Sequence, residues 1–258
     1  ASGFYRVFVN GKFTYFGPAR CAHGYYRVDE IDLNLKKGGN HIAIETDNYY
    51  VNSFYSLMQS GFIEAELVSD GAAAAVTDEA GENAFELYEL CERIRRVQRY
   101  SYQRPFAEAY RLTEDFCGWR TGANGAYVSP RSVIITDEKC LLPRNIPAST
   151  FTEVSPCSSV CGGSAVFGIK PEKYRKDRSL IYIKTPARGN LEGFFENELC
   201  EHLSDEVQEI RSEITDDRRT EYSGNTALGA GEFEILEFPS EKTGFITADI
   251  KCSEESVL

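Results

Sequence analysis

The sequence predicts a mainly β fold: two β-sandwich, jelly-roll-like domains with one longer helix near residues 191–214. Three observations carry that prediction. Asn10-Gly11 and Asp70-Gly71 are two-residue hairpin turns, because Asn, Asp and Gly accept the positive φ angles that a type I′ turn demands. Runs such as HIAIETD and GFIEAELV alternate apolar and polar side chains with the period of a half-buried strand. Sustained helical periodicity occurs in one place, where Leu199, Leu203, Val207, Ile210 and Ile214 recur at three- and four-residue steps.

Taken in order, Tyr5 to Val9 and Lys12 to Phe16 should pair across the Asn10-Gly11 turn, and Gly17-Pro18 then breaks the ladder. YYRVDEIDL resumes a strand, and KKGGN turns the chain into HIAIETDNYY, where Ile42 and Ile44 alternate with Ala43 and Glu45. GFIEAELV forms another strand ahead of the Asp70-Gly71 turn. FELYELCERIRRVQR admits two readings: Leu87, Leu90, Cys91 and Ile94 fall at helical intervals, while Val97 and the crowded arginines suit a strand beside a basic loop. Residues 1–120 are therefore expected to form the first sandwich. Residues 121–164, rich in Gly, Ser, Pro and Asn, read as a loop-rich linker. Residues 165–258 read as a second β domain, with strands at SAVFGI, SLIYIKT, GEFEILEF and GFITADIKC and the helix between them. That second domain looks truncated at its C-terminal end. The first strand is expected to begin almost at residue 1 with no Met ahead of it, and the chain is therefore expected to be a piece of something longer.

The 258 residues carry a net charge of -12, which disfavours phosphate backbones, and no basic stretch is interleaved with aromatics as a nucleic-acid face requires. No apolar run approaches the roughly 20 residues that span a bilayer. A soluble, cytoplasmic chain is expected. Its eight cysteines are scattered rather than densely and evenly spaced, so free thiols in a reducing compartment are expected rather than a disulfide framework. Cys157 and Cys161 are a single close pair without a second, so PCSSVCGGS reads as a Gly/Ser-rich loop and not a zinc site. CGGSAVFG and LGAGEF lack the spacing of phosphate-binding loops.

Two clusters combine polar and aromatic side chains. Asp47, Asn48 and Asn52 alternate with Tyr49, Tyr50 and Tyr55 after a core strand, and a sugar site needs this mixture of carboxylate and amide groups for hydroxyls and a ring for the apolar sugar face. The same residues also suit Asx turns and a tyrosine-covered sandwich edge. Trp119, the single tryptophan, is either a sugar platform or the packing of a hinge. In RYSYQRP, the residues Arg99, Tyr100, Gln103 and Arg104 have the composition of interface anchors, and their guanidinium groups could equally clamp an acidic sugar. His23 and His41 have no titratable partner nearby in sequence, so neither reads as a general base.

FVNGKFTYFGPAR, AHGYYRVDEIDL, the KKGGNHIAIE turn and strand, NYYVNSFY, RVQRYSYQRPFAEAYRL and LLPRNIP together resemble the amino-terminal region of bacterial alpha-L-rhamnosidase-like proteins, glycoside hydrolase family 78. The resemblance covers most of residues 3–150 and returns at GEFEILEFPSEKTGFI. It implies an inverting hydrolase of terminal L-rhamnose whose acid and base lie on a downstream helical toroid. That toroid and its Asp/Arg-rich, Trp-containing motif are not in this sequence, so no catalytic residue carries over. What the resemblance implies is a noncatalytic β-sandwich portion, serving as scaffold and as a carbohydrate-binding module for rhamnose-containing glycans. Its partners would be such a glycan and the downstream catalytic domain. Calcium is the one cofactor left open, because some sugar-binding jelly rolls use it; no other is expected. The alternatives are a protein-interaction module that docks partner domains through the Arg/Tyr loop, and a self-sufficient hydrolase whose carboxylate pair is not apparent.

Overall fold

The computed structural model of the chain describes residues 1–49, 52–78, 83–94, 108–112, 115–123, 128–169 and 209–252. These residues form two compact units, one within 1–149 and one within 150–252. Both are built mainly of strands arranged in small sheets.

The first unit is organised by a three-stranded antiparallel sheet of β1 (Phe4–Val9), β2 (Lys12–Gly17) and β4 (Ile42–Asp47), in the order β2-β1-β4. Asn10 and Gly11 take φ angles of 51° and 83°, as the expected I′ turn requires. Asn10 does more than turn the chain. Its Oδ1 accepts the His41 N–H at 2.9 Å and its Nδ2 donates to Asn40 Oδ1, so the first hairpin is pinned to the start of β4. Asn40 in turn donates to the Lys36 and Gly38 carbonyls, which closes the KKGGN turn from within.

Register then sorts the side chains. In the β1–β4 pairing Val7 faces Ile44 and Val9 faces Ile42, while Arg6 faces Glu45 and Phe8 faces Ala43. Tyr5, Val7 and Val9 therefore share one face, and Phe4, Arg6 and Phe8 the other. Val7, Phe8 and Val9 are all buried, so the central strand is covered on both faces.

On the Tyr5 face the cover is electrostatic as well as apolar. β3 (Tyr25–Val28) pairs in parallel with β9 (Cys140–Pro143), a strand inside the stretch read from sequence as linker. The chain after each strand then meets the other: the Arg144 N–H donates to the Val28 carbonyl, and Arg144 Nη1 reaches Asp29 Oδ1 at 2.7 Å. The Asp29 side chain is 0% exposed. Its carboxylate also accepts hydrogen bonds from the Tyr5 and Tyr15 hydroxyls. A buried carboxylate needs several donors to replace water, and this one has them.

The rest of the first unit comprises the hairpin β5 (Glu66–Ser69) and β6 (Ala72–Val76), the pair β7 (Tyr88–Leu90) and β8 (Val128–Pro130), and a single 3-10 turn, Gly118–Thr121. Asp70-Gly71 turns the first of these as expected, with φ angles of 52° and 78°. Within FELYEL, Tyr88–Leu90 is strand β7, so of the two readings of that segment its described residues take the strand. Its Tyr88–Leu90 backbone pairs with residues 128–130, a partner too distant in sequence for periodicity to register.

The second unit is a four-stranded sheet around β10 (Ser158–Ile169). Register places β11 (Glu209–Asp216) and then β12 (Thr220–Glu221) along one edge, with β13 (Glu232–Glu237) along the other. Three expectations change here. The longer helix was expected over 191–214. Residues 191–208 lie outside the described residues, and the described end of that span is strand, because the edge of β10 supplies backbone partners that override a helical period. CGGS, read as loop, is the middle of β10. An added Cβ at Gly163 would fall far inside contact distance of the Glu213 carbonyl oxygen and 2.9 Å from the Phe233 ring, so glycine serves close strand approach rather than a turn. GFITADIKC has no strand in its described residues, and Ile246 within it is 96% exposed. SLIYIKT lies outside the described residues.

Two outcomes follow from this packing. Arg144→Met leaves the Asp29 carboxylate buried without its cation and should lower the stability of the first unit by about 3–5 kcal/mol. Urea unfolding followed by Trp119 fluorescence measures it, and pairing the change with Asp29→Asn should recover much of the loss. Gly163→Ala should destabilise the second unit by about 1–3 kcal/mol through overpacking, seen as faster amide exchange in β10, β11 and β13 with β1 and β4 unchanged.

Candidate functional site

The face of the first sheet that carries Phe4, Arg6 and Phe8 also collects Glu45 and Asp47 from β4, since side chains two apart on a strand point the same way. Arg6 Nη2 donates to Glu45 Oε1 at 2.6 Å. Arg93, brought over by an antiparallel bridge between Arg93 and Tyr110, donates from Nη1 to Asp47 Oδ2 and from Nη2 to the Tyr49 hydroxyl. The same guanidinium lies 5.2 Å from the Tyr49 ring centroid, 5.8 Å from that of Tyr110 and 3.6 Å from Glu108 Oε1. Tyr110 donates its hydroxyl to Glu108 Oε2 at 3.0 Å and packs edge-on against Phe116. Arg93 is thus the hub of a cluster of two carboxylates and two phenols.

Beside this hub the 3-10 turn places a second group. Trp119 packs edge-on against Phe8, with centroids 5.6 Å apart, and its Nε1 donates to Glu92 Oε1 at 3.1 Å. Glu92, though charged, is buried; Oε2 accepts the Cys117 N–H. Cys117 enters the turn with φ 61°, and His41 Nε2 donates to the Trp119 carbonyl at 2.8 Å, holding the turn to the start of β4. Arg120 lies over the Phe8 ring at 4.3 Å. Its Nη2 stands 4.0 Å from Glu45 Oε2, and that oxygen and Arg120 Nε are both buried with no hydrogen bond.

These environments shift the titration of the groups that face them. Burial pushes the Tyr110 phenol up to about 12, against an opposing pull from Arg93. Burial also raises Tyr49, with the Asp47 charge adding to it. The Cys117 thiol is pushed up to about 11 by burial, only partly countered by Arg120, so it is a poor nucleophile at neutral pH. Arg93 rises despite its burial, because Asp47 and then Tyr49 favour its charged form.

The candidates read from sequence are divided by this geometry. Asp47 and Tyr49 meet, through Arg93. Asn48 points elsewhere: its Nδ2 donates to Ser2 Oγ at 3.0 Å and to the Gln59 carbonyl at 3.2 Å. Asn52 Oδ1 accepts the Met58 N–H, closing its own loop, and Ser53 and Ser56 brace that loop with a hydroxyl pair. Trp119 stands near Arg120 and Glu92 rather than among the asparagines. Tyr50, Arg99, Tyr100, Gln103 and Arg104 lie outside the described residues. Among the described residues no group of three His, Cys, Asp or Glu side chains is arranged to hold a metal ion. All seven described cysteines are free thiols. No described helix is long and apolar enough to cross a membrane.

No protein-family model, curated protein or solved structure matches this chain. The site is therefore read from its own chemistry. Arg93, Glu92, Glu108 and Tyr110 were the members that the sequence reading passed over. The one signal available was local: charged residues flanked by apolar ones, as in CERI and AEAYRL. Nothing in that spacing shows that residues 93 and 110 form a bridge.

Tyr5, Tyr49 and Tyr110 all titrate above their ordinary value of 10.0. Each folded environment favours the protonated phenol, so its contribution to stability is complete below pH 10 and is lost as pH climbs through the folded values. A thermal melt taken at successive pH values should hold level up to about pH 10 and fall steeply above it. Tyrosinate absorbance should lag behind that of an unfolded control, and equal titration of the two would contradict the burial described here.

Proposed function

We propose that the chain is the noncatalytic, jelly-roll-like front of an alpha-L-rhamnosidase-like glycoside hydrolase, a scaffold whose Asp47–Arg93 face contacts rhamnose-containing glycan. The reading stands on the sequence resemblance, and the observation that carries it into the structure is the Arg93 hub. Two phenol rings, a guanidinium and two carboxylates meet on one side of a firm sheet. Sugar recognition needs such a set: planar polar groups for paired hydroxyls and a ring for the apolar face.

A binding role fits these carboxylates better than turnover. Inverting hydrolysis requires one carboxyl group to give a proton and a second to activate water across the sugar. Here Glu45 and Asp47 are held by Arg6 and Arg93, and Glu92 by Trp119 and the backbone of Cys117.

A second reading, docking of partner domains, is favoured by a separate observation. Ile214 and Ile235, which register places on one face of the second unit's sheet, are both exposed, and apolar side chains gathered on one face mark interaction surfaces.

Titration of the chain with L-rhamnose by NMR, with and without calcium, distinguishes the two. Saturable binding in the millimolar range, weakened about tenfold or more by Asp47→Asn or Tyr49→Phe, is the expected result. No saturation, together with self-association in sedimentation, would replace the sugar reading with the docking one.

A further inference from the structure

A concavity lies apart from the Arg93 hub and shares no residue with it. It is a shallow depression of about 600 Å³ lined by Arg20, Cys21, Ala22, Tyr25, Arg27 and Leu142, where the chain leaving β2 passes β3 and β9. Its lining has two cations and no acid, in a chain that carries 40 acidic residues against 28 basic ones.

Neither arginine has a carboxylate partner among the described residues. Arg6, Arg93, Arg131 and Arg144 each have a carboxylate partner. Arg27 instead donates Nη1 to the Pro143 carbonyl at 2.9 Å, which fixes the guanidinium without neutralising it. A guanidinium has five N–H donors, so most of the fork is left to the depression. Arg20 is exposed and has no ion pair or hydrogen bond among the described residues. Between them, Tyr25 is 45% exposed and Leu142 half-buried, an apolar floor beside two charges. The Tyr25 N–H bonds the Ala22 carbonyl and the Gly24 N–H bonds Gln59 Oε1, so the rim is held by its own turn.

The geometry points to a binding site for a small carboxylate carried on a ring, with a hexuronic acid residue as the class of ligand. The carboxylate takes the arginine fork, whose planar donors match its two oxygens. The sugar ring lies on Tyr25, and the volume suits one or two such rings. This inference does not depend on rhamnose binding at the Arg93 face, and the two sites respond to different substitutions.

Calorimetric titration of the whole chain with D-galacturonate tests it, with D-galactose and inorganic phosphate as parallel probes. Saturable binding of the uronate, no binding of the neutral sugar and weaker binding of phosphate are expected. Arg20→Glu, an exposed change that spares the fold, should weaken uronate binding about tenfold or more, while Asp47→Asn leaves it unchanged. Uronate should also slow alkylation of Cys21, mapped by peptide mass spectrometry, while exposed Cys252 in the second unit reacts at its usual rate. Phosphate binding as tight as uronate would overturn the sugar acid in favour of a bare anion site. Uronate binding that is indifferent to Arg20→Glu and leaves Cys21 unprotected would overturn the site itself.

Discussion

Strand β1 has a hydrogen-bonded neighbour on each edge and a different kind of cover on each face, and the first unit is arranged around meeting both demands. Adjacent buried residues such as Val7 and Phe8 must point to opposite sides of the sheet. One side is closed by Asp29, Tyr5, Tyr15 and Arg144, which brings β3 and β9 together although more than a hundred residues separate them. The other is closed by Trp119 and the 3-10 turn. Each closure uses one buried carboxylate as its organising acceptor, Asp29 on the first face and Glu92 on the second. A buried carboxylate is costly unless every lone pair finds a donor, so these two positions dictate where their neighbours stand.

The distribution of arginine follows from the same constraint. An acidic chain has carboxylates in excess, and guanidinium groups near the sheet are drawn against them. Arg93 shows the result most fully, with Asp47, Tyr49, Tyr110 and Glu108 converging on one planar cation. That convergence serves stability and also creates a polar-aromatic surface of the kind that ligands use. Arg20 and Arg27 have no carboxylate partner among the described residues.

The second unit solves a different problem with less apolar mass. Among the described residues its buried side chains are small ones, Cys161 and Ala165, and its central strand relies on glycine to let Glu213 and Phe233 close in from either edge. Small residues at the centre allow tight strand contact but leave larger apolar groups, among them Val166 and Ile214, facing outward.

By itself the sequence determined the features whose causes are local. The two hairpins at Asn10-Gly11 and Asp70-Gly71 follow from residues that tolerate positive φ, and the faces of β4 follow from the alternation in HIAIETD. The presence of Asp47 and Tyr49 in a polar-aromatic cluster was legible for the same reason. Tertiary structure alone decided which groups meet. Asn48, one residue beyond β4, turns to Ser2 and Gln59 while Asp47 meets Arg93, so a run that looks continuous in sequence is divided between two sets of partners. Glycines read as loop became the centre of β10, and the described end of an expected helix became β11, because backbone partners from distant segments outweigh local preference. Arg93 found Asp47, and Arg144 found Asp29, through pairings across 46 and 115 residues. Contacts at such separations are fixed by the packing of sheets, and no periodicity within a single strand encodes them.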